Sequence, residues 1–454
     1  MSNPIVALST PTGESAIAVV RMSGGGCAEI AAKALGLKKT PEPRRAVYAK
    51  YARLDGTELD DVVAVFFKAP ASYTGEDCVE ISTHGNPFIV REVVADLIAR
   101  GAAAAQAGEF TRRAFENGKL DLSQAEAVAL TIGARSERAL KAAKKQLSGE
   151  LGRRVADMSE RILNCLALVE AYIDFPEDDL PEEDKQTLAR TLGKCAEDMA
   201  KLIDTAKYSR LVYGGIDAVI AGAPNAGKSS LLNLLLGSDR AIVSDIAGTT
   251  RDFISESVSV RGNTVRFTDT AGLRDSSDKL EALGIERARK KISDCDICLF
   301  VVDASDPDSA PKPDSPDIAG LTRQNAIMVF NKCDIAQGNL DALRGRYAGF
   351  ECAEISCAEN SGIEDLKDKI GALIDKYHIT ASADDILVSA RHAQSLQAAM
   401  DSTVAAARKT AENAPSELVA SDLREALDSL GDIVGKTDNE ALLDRIFSKF
   451  CIGK

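Results

Sequence analysis

The segment Gly222-Ala-Pro-Asn-Ala-Gly-Lys-Ser229 decides the fold of this sequence, because it fits the pattern G-x-x-x-x-G-K-[ST]. An apolar run, 218–221, stands directly before it, and a helical run, 230–236, stands directly after it. Its glycines let backbone N–H groups wrap phosphates, Lys228 can reach the β and γ oxygens, and the Ser229 hydroxyl can bind Mg²⁺. Strand, loop and helix in this order predict a phosphate-binding loop in a parallel α/β sheet.

Two further motifs suit the γ-phosphate and its metal ion. Thr250, within 248–252 (GTTRD), can complete the Mg²⁺ shell and sense the γ-phosphate. The segment 269–272 (DTAG) ends an apolar strand, where Asp269 can hold Mg²⁺ through water and the Gly272 N–H can meet the γ-phosphate. The residues predicted to bind Mg²⁺ directly are Ser229 and Thr250.

A third motif, 331–334 (NKCD), ends another apolar strand and bears on the choice of nucleotide. An aspartate at Asp334 accepts two hydrogen bonds from the guanine N1–H and exocyclic amine, which adenine cannot offer. The segment 356–358 (SCA), after the last predicted strand, is placed to close over the base. We therefore predict that the nucleotide is GTP. The predicted GTP-binding residues are Asn225, Ala226, Gly227, Lys228, Ser229, Ser230, Ser244, Asp245, Ile246, Ala247, Gly248, Thr249, Thr250, Asp269, Thr270, Ala271, Gly272, Asn331, Lys332, Cys333, Asp334, Ser356, Cys357 and Ala358.

The residue after Gly272 departs from the commonest GTPase pattern. In Ras-like enzymes a glutamine at this position orients the attacking water, but here the residue is Leu273, whose side chain cannot hydrogen-bond. Another group must therefore orient the water. The polar stretch that follows offers four carboxylates: Asp275, Asp278, Glu281 and Glu286.

The pattern of apolar and polar residues changes three times along the chain. Residues 1–118 mix short β-like runs with turn clusters and helical stretches, as in a small α+β domain. Amphipathic helical segments fill 119–212 and 377–454, and apolar strands alternate with helices over 213–376. Since the two helical stretches are alike in composition, we predict a multidomain fold in which an α/β G domain is inserted into one discontinuous all-α domain.

The composition limits the class of protein. The chain has 454 residues, of which 45% are apolar, and its 55 Lys plus Arg against 69 Asp plus Glu give a formal net charge of −14. This balance is typical of a globular protein and argues against a surface that is basic throughout. Ten scattered cysteines and the lack of a signal-peptide pattern favour reduced thiols in the cytoplasm. We expect no membrane span, because no stretch approaches the ~18 apolar residues that one needs.

Together these segments closely resemble the MnmE (TrmE) family of tRNA modification GTPases. The resemblance covers the whole chain: an N-terminal domain, a helical domain split by a G domain, the segments PNAGKSSLLN, SDIAGTTRD and DTAGLR followed by IERA, and the final 450–454 (FCIGK). That C-terminal pentapeptide is specific to the family among G proteins. The resemblance implies a Ras-like G domain and a folate-binding-like N-terminal domain.

The resemblance also implies how GTP is hydrolysed. A K⁺ ion, rather than an arginine finger, would supply positive charge beside the β and γ phosphates and offset the charge that develops in the transition state. Glu281 would orient the attacking water, although composition by itself favours a solvated residue in the first turn of a helix there. The implied K⁺ ligands are Asn225, Ser244, Ile246 and Thr249. The implied catalytic residues are Glu281, Asn225 and Lys228.

For the N-terminal domain, the resemblance implies a homodimer that binds 5-formyltetrahydrofolate, or a related tetrahydrofolate, as one-carbon donor. Cations suit the glutamate tail of a folate and a carboxylate suits the N–H donors of its pterin, yet each residue taken singly fits an exposed charge better. Cys451, beside the C-terminus, is either a nucleophile or a packed small residue. The implied folate-binding residues are Arg21, Glu80, Lys119 and Lys454.

A partner and a reaction follow from the same resemblance. With the FAD-dependent MnmG, in a heterotetramer or larger complex, the protein would add an aminomethyl or carboxymethylaminomethyl group to C5 of the wobble uridine of certain tRNAs. The alternative is a regulatory ribosome-assembly GTPase with no tRNA-modifying role. Such a factor has no evident reason to carry the candidate folate residues or the FCIGK end.

Four basic residues fall on one face of a predicted helix. A solvated face is the ordinary explanation of such a pattern, and contact with the tRNA backbone, with an affinity that falls steeply with salt, is the competing one. The segment 174–184 is by contrast strongly acidic, so the net charge averages unlike regions. The four basic residues are Arg135, Arg138, Lys141 and Lys145.

Overall fold

The structure is a computed structural model with two compact units. One is built from Met1–Ala129, Gln146–Cys195 and Asp401–Lys454, the other from Leu130–Lys145 and Ala196–Met400. Together they confirm the expected α+β, all-α and α/β parts, whereas the domain limits at 118, 212 and 376 remain predictions. The structure describes residues 2–174, 181–238, 255–269, 292, 294–313, 315, 318, 320–336, 338–378, 386–436 and 440–454.

The N-terminal part of the first unit is a sheet with helices packed against it. Its elements are β1 (Ile5–Leu8), β2 (Ser15–Ser23), α1 (Cys27–Ala34), β3 (Ala46–Ala52), β4 (Glu58–Phe67), β5 (Cys78–Gly85), α2 (Pro87–Ala99), β6 (Ala103–Ala104) and α3 (Glu109–Glu116). The strands lie in the order β3-β4-β5-β2-β1-β6, antiparallel apart from β1 with β6. Alternate residues such as Val20, Val62 and Ile81 are buried in a core shared with α1 and α2. The intervening residues point to the opposite face, because strand side chains alternate.

Helices follow this sheet along the chain. They are α4 (Leu122–Gly133), α5 (Glu137–Leu147), α6 (Glu150–Asp174), α7 (Glu182–Asp204) and α8 (Ala206–Gly214). Leu151, Val155, Met158 and Ile162 of α6 are buried at helical spacing, so one apolar stripe of the helix faces the core. Most of the predicted acidic loop, 175–180, lies outside the described residues.

The second unit is built around a mostly parallel sheet. The strands and main α-helices described in it are β7 (Ile216–Gly222), α9 (Lys228–Ser238), β8 (Ser255–Val260), β9 (Asn263–Asp269), β10 (Ile297–Asp303), β11 (Ala326–Asn331), α10 (Leu340–Arg346), β12 (Glu351–Glu354) and α11 (Ile363–Leu373). The described strands lie in the order β12-β11-β10-β7-β9-β8, with β8 antiparallel to β9. β10 and β11 are buried almost throughout, as their continuous apolar runs predict for a central parallel strand.

The last strand of this sheet is displaced from its predicted position. The sequence predicts a strand at 353–356, but β12 ends at Glu354. The chain then turns back on itself, because the backbones of Ser356 and Ser361 exchange two hydrogen bonds of 3.1 Å. This turn holds 356–358 outside the sheet, at the end of the strand.

The last helices that the structure describes are α12 (Ala390–Ala411), α13 (Ser416–Val434) and α14 (Glu440–Phe447). α13 packs against α6 in the first unit. Phe447 and Phe450 pack with Leu122 and Ala125 in a smaller apolar cluster. Among the helices that the structure describes, none is long and apolar enough to cross a membrane.

Candidate functional site

The carboxyl ends of three neighbouring parallel strands meet at one edge of the second unit's sheet. β7 ends at Gly222, β10 at Asp303 and β11 at Asn331, and β10 lies between the other two. In open α/β sheets, ligands bind at this edge. The predicted phosphate and guanine motifs both begin here, so we call it the nucleotide edge.

The loop between β7 and α9 requires glycine at two positions. Gly222 has a φ of 137°, and a Cβ there would clash with the Val301 carbonyl oxygen. Gly227 has a φ of 100°, and a Cβ there would clash with the Asn331 side-chain nitrogen. Asn225 between them is also left-handed, with a φ of 61°. A loop of this conformation that leads into a helix N-terminus is the arrangement that binds phosphates.

Some side chains of this loop stabilise its conformation, and others are available to bind a ligand. The Lys228 ammonium donates a hydrogen bond of 2.7 Å to the Ala223 carbonyl, so the lysine lies across the loop. Ala226 is fully buried, whereas Ser229 and Ser230 begin α9 with exposed side chains. A hydroxyl at the N-terminus of a helix suits Mg²⁺ bound to a phosphate, because the positive end of the helix dipole favours the anion.

Asn331 joins three loops of the nucleotide edge. Its side chain is buried, its amide nitrogen donates a hydrogen bond of 2.8 Å to the Ala226 carbonyl, and its amide oxygen accepts one of 3.1 Å from the Cys357 N–H. The structure therefore brings together the phosphate loop, the NKCD motif and the SCA segment, as the sequence predicts. The sequence did not indicate that Asn331 itself connects them.

The remaining residues of the NKCD motif follow in a tight turn. Lys332 is left-handed, with a φ of 65°, and a 3-10 helix, Cys333–Ile335, begins after it. The Cys333 N–H donates a hydrogen bond of 3.2 Å to the Ile355 carbonyl. Asp334 is exposed, so its carboxylate is available to accept hydrogen bonds from a base.

Sequence reasoning missed Asp303, the last residue of β10. Its carboxylate accepts hydrogen bonds of 2.5 Å from the Lys332 ammonium and from the Ser305 hydroxyl. Burial by itself would raise the pKa of Asp303, but these bonds outweigh it and hold the pKa below its usual value. The signal available in the sequence was a charged residue that closes a continuous apolar strand.

Part of the predicted site lies outside the described residues. The DTAG motif begins at the nucleotide edge, since Asp269 ends β9 and pairs with Ile220 of β7. The predicted positions outside the described residues are Ser244, Asp245, Ile246, Ala247, Gly248, Thr249, Thr250, Thr270, Ala271, Gly272 and Glu281, together with the other candidate carboxylates Asp275, Asp278 and Glu286.

Arg21 and Glu80, two of the predicted folate residues, lie side by side on the outward face of the N-terminal sheet. They are partners in the pairing of β2 with β5, and the Arg21 guanidinium donates hydrogen bonds of 2.9 and 2.7 Å to Glu80. The guanidinium also lies 5.6 Å from the centroid of the Tyr73 ring and 5.8 Å from that of Phe110. Because the two charges are paired, they face the same part of any ligand rather than its two ends.

Lys119 borders the same region. Its ammonium donates a hydrogen bond of 3.2 Å to the Pro70 carbonyl, and its stem lies beside Gly75. The segment between these two contacts carries Tyr73, whose ring lies next to Arg21. The structure thus places Lys119 on an element adjacent to the Arg21–Glu80 pair.

The C-terminal tail contacts the N-terminal sheet at the end of β1. A Cβ on Gly453 would clash with the Leu8 carbonyl, and the Ser9 hydroxyl donates a hydrogen bond of 3.1 Å to the Gly453 carbonyl. Lys454 therefore follows a residue fixed to the end of β1, the strand next to β2 and Arg21. Cys451 is exposed rather than packed.

A cleft of about 1030 Å³ opens beside α3 and α14 in the same unit. Arg112, on its wall, binds the carboxylates of Glu116, Glu440 and Asp444 at 2.7, 2.7 and 2.8 Å. These contacts join α14 to α3 and raise the pKa of Arg112, through the hydrogen bond to Glu116 above all. The described lining residues do not include the four predicted folate residues.

The predicted basic face does not lie on a single helix, because Arg135 precedes α5, which begins at Glu137. The part of the face that lies on α5 is partly neutralised. Arg138 forms an ion pair of 2.9 Å with Asp375 and donates a hydrogen bond of 3.1 Å to Asn263. Lys141 forms an ion pair of 2.8 Å with Glu137. These partners favour the solvated, ion-paired interpretation of the face, and the tRNA alternative stays a prediction.

Comparison with known proteins covers the whole chain. A family model described as MnmE helical domain matches residues 122–451, and one described as GTP-binding protein TrmE N-terminus matches residues 4–119. The chain is 47% identical to a tRNA modification GTPase MnmE from Opitutus terrae, over 100% of this chain and 99% of that one. It is 42% identical to the protein of the same name from Aquifex aeolicus, over 100% of both chains. Among solved structures, the G domain of the T. maritima FeoB iron transporter matches at 24% identity and a TM-score of 0.26, over 35% of this chain and 98% of that one.

Proposed function

The chain belongs to the MnmE (TrmE) family of tRNA modification GTPases, and on that premise we propose that GTP hydrolysis at its nucleotide edge drives a cytoplasmic tRNA-modifying complex. The complex contains the FAD-dependent MnmG and this chain as a homodimer, in a heterotetramer or larger assembly. Its product is an aminomethyl or carboxymethylaminomethyl group at C5 of the wobble uridine. The uridine chemistry belongs to the complex, and the reaction of this chain is the hydrolysis of GTP.

The convergence of three loops on Asn331 is the observation that supports GTP as the substrate. One side chain bonds both the phosphate loop, at Ala226, and the SCA segment, at Cys357. The segment proposed to bind phosphate and the segments proposed to bind guanine are therefore connected through one side chain. Asp334, exposed beside them, selects guanine by accepting from N1–H and the exocyclic amine.

In the proposed hydrolysis, water attacks the γ-phosphorus, and negative charge grows on the β and γ oxygens. Lys228, Mg²⁺ on Ser229 and Thr250, and K⁺ held by Asn225 with Ser244, Ile246 and Thr249 would offset this charge. Glu281 would orient the water in place of the glutamine of Ras-like enzymes.

Two changes test this chemistry. Replacing K⁺ with Na⁺ in a GTPase assay should lower the rate, and equal rates would contradict the potassium assignment. Glu281→Ala should keep GTP binding and lose most single-turnover hydrolysis, on the order of 100-fold. Near-normal hydrolysis in that variant would exclude Glu281 as the water-orienting residue. Glu286→Ala, a carboxylate on the same stretch, is the matched control.

The outward face of the N-terminal sheet supports the proposed homodimer. Tyr48 and Val63, partners in the pairing of β3 with β4, are 72% and 40% exposed, and Ile17 on β2 is 61% exposed. Large apolar side chains on one open sheet face are typical of a protein interface. Tyr48→Lys should shift the protein toward monomer in sedimentation, whereas Leu418→Lys, at an exposed leucine of α13, should not. A dimer that withstands Tyr48→Lys would place the interface elsewhere.

The same face supports the proposed folate site. The Arg21–Glu80 pair offers a donor and an acceptor to the pterin edge, and the Tyr73 and Phe110 rings offer apolar surface beside it. Lys119 and Lys454 remain as cations for the glutamate tail. When bound, the folate supplies the one-carbon unit. Arg21→Ala should weaken calorimetric binding of 5-formyltetrahydrofolate at least about tenfold, and Arg45→Ala, at an exposed arginine, should not. Unchanged binding to Arg21→Ala would remove this pair from the site.

The rival function is a ribosome-assembly GTPase without a role in tRNA modification. Both functions share the nucleotide edge, so GTPase assays do not separate them. Nucleoside analysis of tRNA from a strain lacking this gene does: loss of the C5 modification, restored by the wild-type chain and not by Lys228→Ala, is expected. Unchanged wobble uridines would favour the rival.

A further inference from the structure

The hairpin of β8 and β9 is connected directly to the nucleotide edge. Its second strand, β9, begins at Asn263 and ends at Asp269, the first residue of the DTAG motif. A two-residue turn joins the strands, and both of its residues are left-handed: Arg261 has a φ of 45° and Gly262 a φ of 75°. Two-residue hairpins favour this turn conformation. One short strand therefore connects the tip of the hairpin to Asp269.

The tip of the hairpin extends beyond the pairing of β9 with β7. That pairing begins at Val265, opposite Ile216, so the described register gives Asn263 and Thr264 no partner on β7. Asn263 is nevertheless only 4% exposed. A buried amide requires hydrogen-bond partners, because an unpaired one is costly. The partner of the Asn263 amide oxygen has to come from outside this pairing.

Arg138 of α5 is that partner. Its guanidinium donates a hydrogen bond of 3.1 Å to the Asn263 side-chain oxygen, and its backbone N–H donates one of 3.4 Å to the Gly262 carbonyl. The same guanidinium forms an ion pair of 2.9 Å with Asp375, in the helical turn that follows α11. Arg138 therefore connects α5, the hairpin tip and the end of α11.

A second arginine holds the tip to α11. The Arg261 guanidinium forms an ion pair of 2.7 Å with Asp368, and its stem lies so close to Gly371 that a Cβ there would clash with it. Apolar packing holds α5 as well, since Ala139 is buried in the same core cluster as Val260 of β8. The hairpin tip is thus held by contacts with two helices.

We propose that Arg138 is a positioning residue for the metal-binding end of β9: it holds the hairpin tip and thereby sets where Asp269 lies at the nucleotide edge. A strand is almost fully extended, so its two ends cannot shift independently along its axis. This inference rests on the proposed function and on the predicted role of Asp269, which holds Mg²⁺ through water. It gives Arg138 a role other than contact with tRNA.

Titration of Mg²⁺ into the full-length protein bound to GDP, followed by calorimetry, tests the inference. Arg138→Ala should weaken Mg²⁺ binding about fivefold and leave GDP affinity in EDTA unchanged, because Arg138 does not contact the phosphate loop or the guanine motifs. The backbone amides of 263–269 should exchange hydrogen about tenfold faster. Lys141→Ala is the matched control: it removes a cation from the same helix, but one that pairs with Glu137.

A double-mutant cycle identifies the contact that matters. In the Asn263→Ala background, Arg138→Ala should weaken Mg²⁺ binding little further, because the bond between the two side chains is already absent. Arg138→Lys keeps a cation beside Asp375 but loses the fork of donors, so it should recover Mg²⁺ affinity only in part.

Four results would overturn the proposal: wild-type Mg²⁺ affinity in Arg138→Ala, an equal loss in Lys141→Ala, additive losses with Asn263→Ala, or a matching loss of GDP affinity in EDTA. The last would mean that Arg138 supports the fold in general. Failure of the proposed function gives a different result, because the wild-type chain would then bind GDP no more tightly with Mg²⁺ than in EDTA.

Discussion

The nucleotide edge and the C-terminal tail are both predicted binding regions, and they are built in opposite ways. At the nucleotide edge each loop is a short continuous motif whose conformation is fixed by left-handed positions such as Gly222, Gly227 and Lys332. The tail, residues 450–454, is held to the N-terminal sheet by contacts that span almost the whole chain, as from Ser9 to Gly453. Backbone geometry defines the first region, and long-range packing defines the second.

Gly227→Ala should have the largest effect on ligand affinity, because it disturbs the backbone geometry of the nucleotide edge. The new Cβ would clash with the Asn331 side chain at a left-handed position. We expect GDP affinity to fall at least about 100-fold, measured by titration calorimetry. Gly237→Ala is the matched control, since it lies in α9 with open space around its Cβ. Comparable affinity in the two variants would show that the loop tolerates side chains. It would contradict the claim that backbone geometry defines the nucleotide edge.

Gly453→Ala is the corresponding test of the tail. Its Cβ would clash with the Leu8 carbonyl at a φ of 96°, so the last residues should leave the sheet. We expect carboxypeptidase to remove Lys454 about tenfold faster, while GDP affinity stays as in the wild type. Gly133→Ala, where a Cβ meets nothing within 4 Å, should digest at the wild-type rate. An unchanged digestion rate in Gly453→Ala would mean that this contact does not hold the tail.

Arg112→Gln should have a smaller effect on the same region. The variant loses ion pairs with Glu116, Glu440 and Asp444, but the side chains of these carboxylates are 49%, 75% and 68% exposed, so water screens them. We expect the free energy of unfolding in urea to fall by about 1 kcal/mol or less. Arg112→Lys should recover part of this lost free energy of unfolding. A larger loss would show that α14 is held mainly by charge rather than by the packing of Phe447.

The smallest predicted effect on stability comes from His84, which lies at the edge of the outward sheet face. Its Nδ1 lies 2.6 Å from an Asp60 carboxylate oxygen, and this hydrogen bond raises the pKa of His84 above 6.5. A raised pKa in the folded state means that the stabilisation is fully present below pH 6.5 and is lost as the pH rises through the folded pKa. An NMR titration should show the raised value, and Asp60→Asn should return it to normal. A normal pKa in the wild type would contradict the pairing.

The sequence predicted the strands of the parallel sheet well, because β10 and β11 are buried and apolar up to their last residues, Asp303 and Asn331, and the glycine pattern marked the loop after β7. It misplaced the last strand, since the turn that ends β12 depends on hydrogen bonds between Ser356 and Ser361 rather than on local propensity. It also missed Asp303, because the partner of an isolated aspartate is set by strand pairing. The basic residues of α5 were visible in the sequence, but the ion pair of Arg138 with Asp375 was not. The pair of Lys141 with Glu137 has i,i+4 spacing on one helix, and sequence reasoning overlooked it.

The sequence by itself determined the family, the class of nucleotide and the positions of the phosphate and guanine motifs. It could do so because the glycines, the lysine and the aspartate that this chemistry requires stand at fixed spacing in continuous segments. Tertiary structure alone decided which charges are paired between distant segments of the chain. Arg21 faces Glu80 and Lys332 faces Asp303 because two strands run side by side, and the C-terminal tail meets β1 because α14 packs against α3. Such pairings depend on which elements become neighbours when the chain folds, and residue order does not encode them locally.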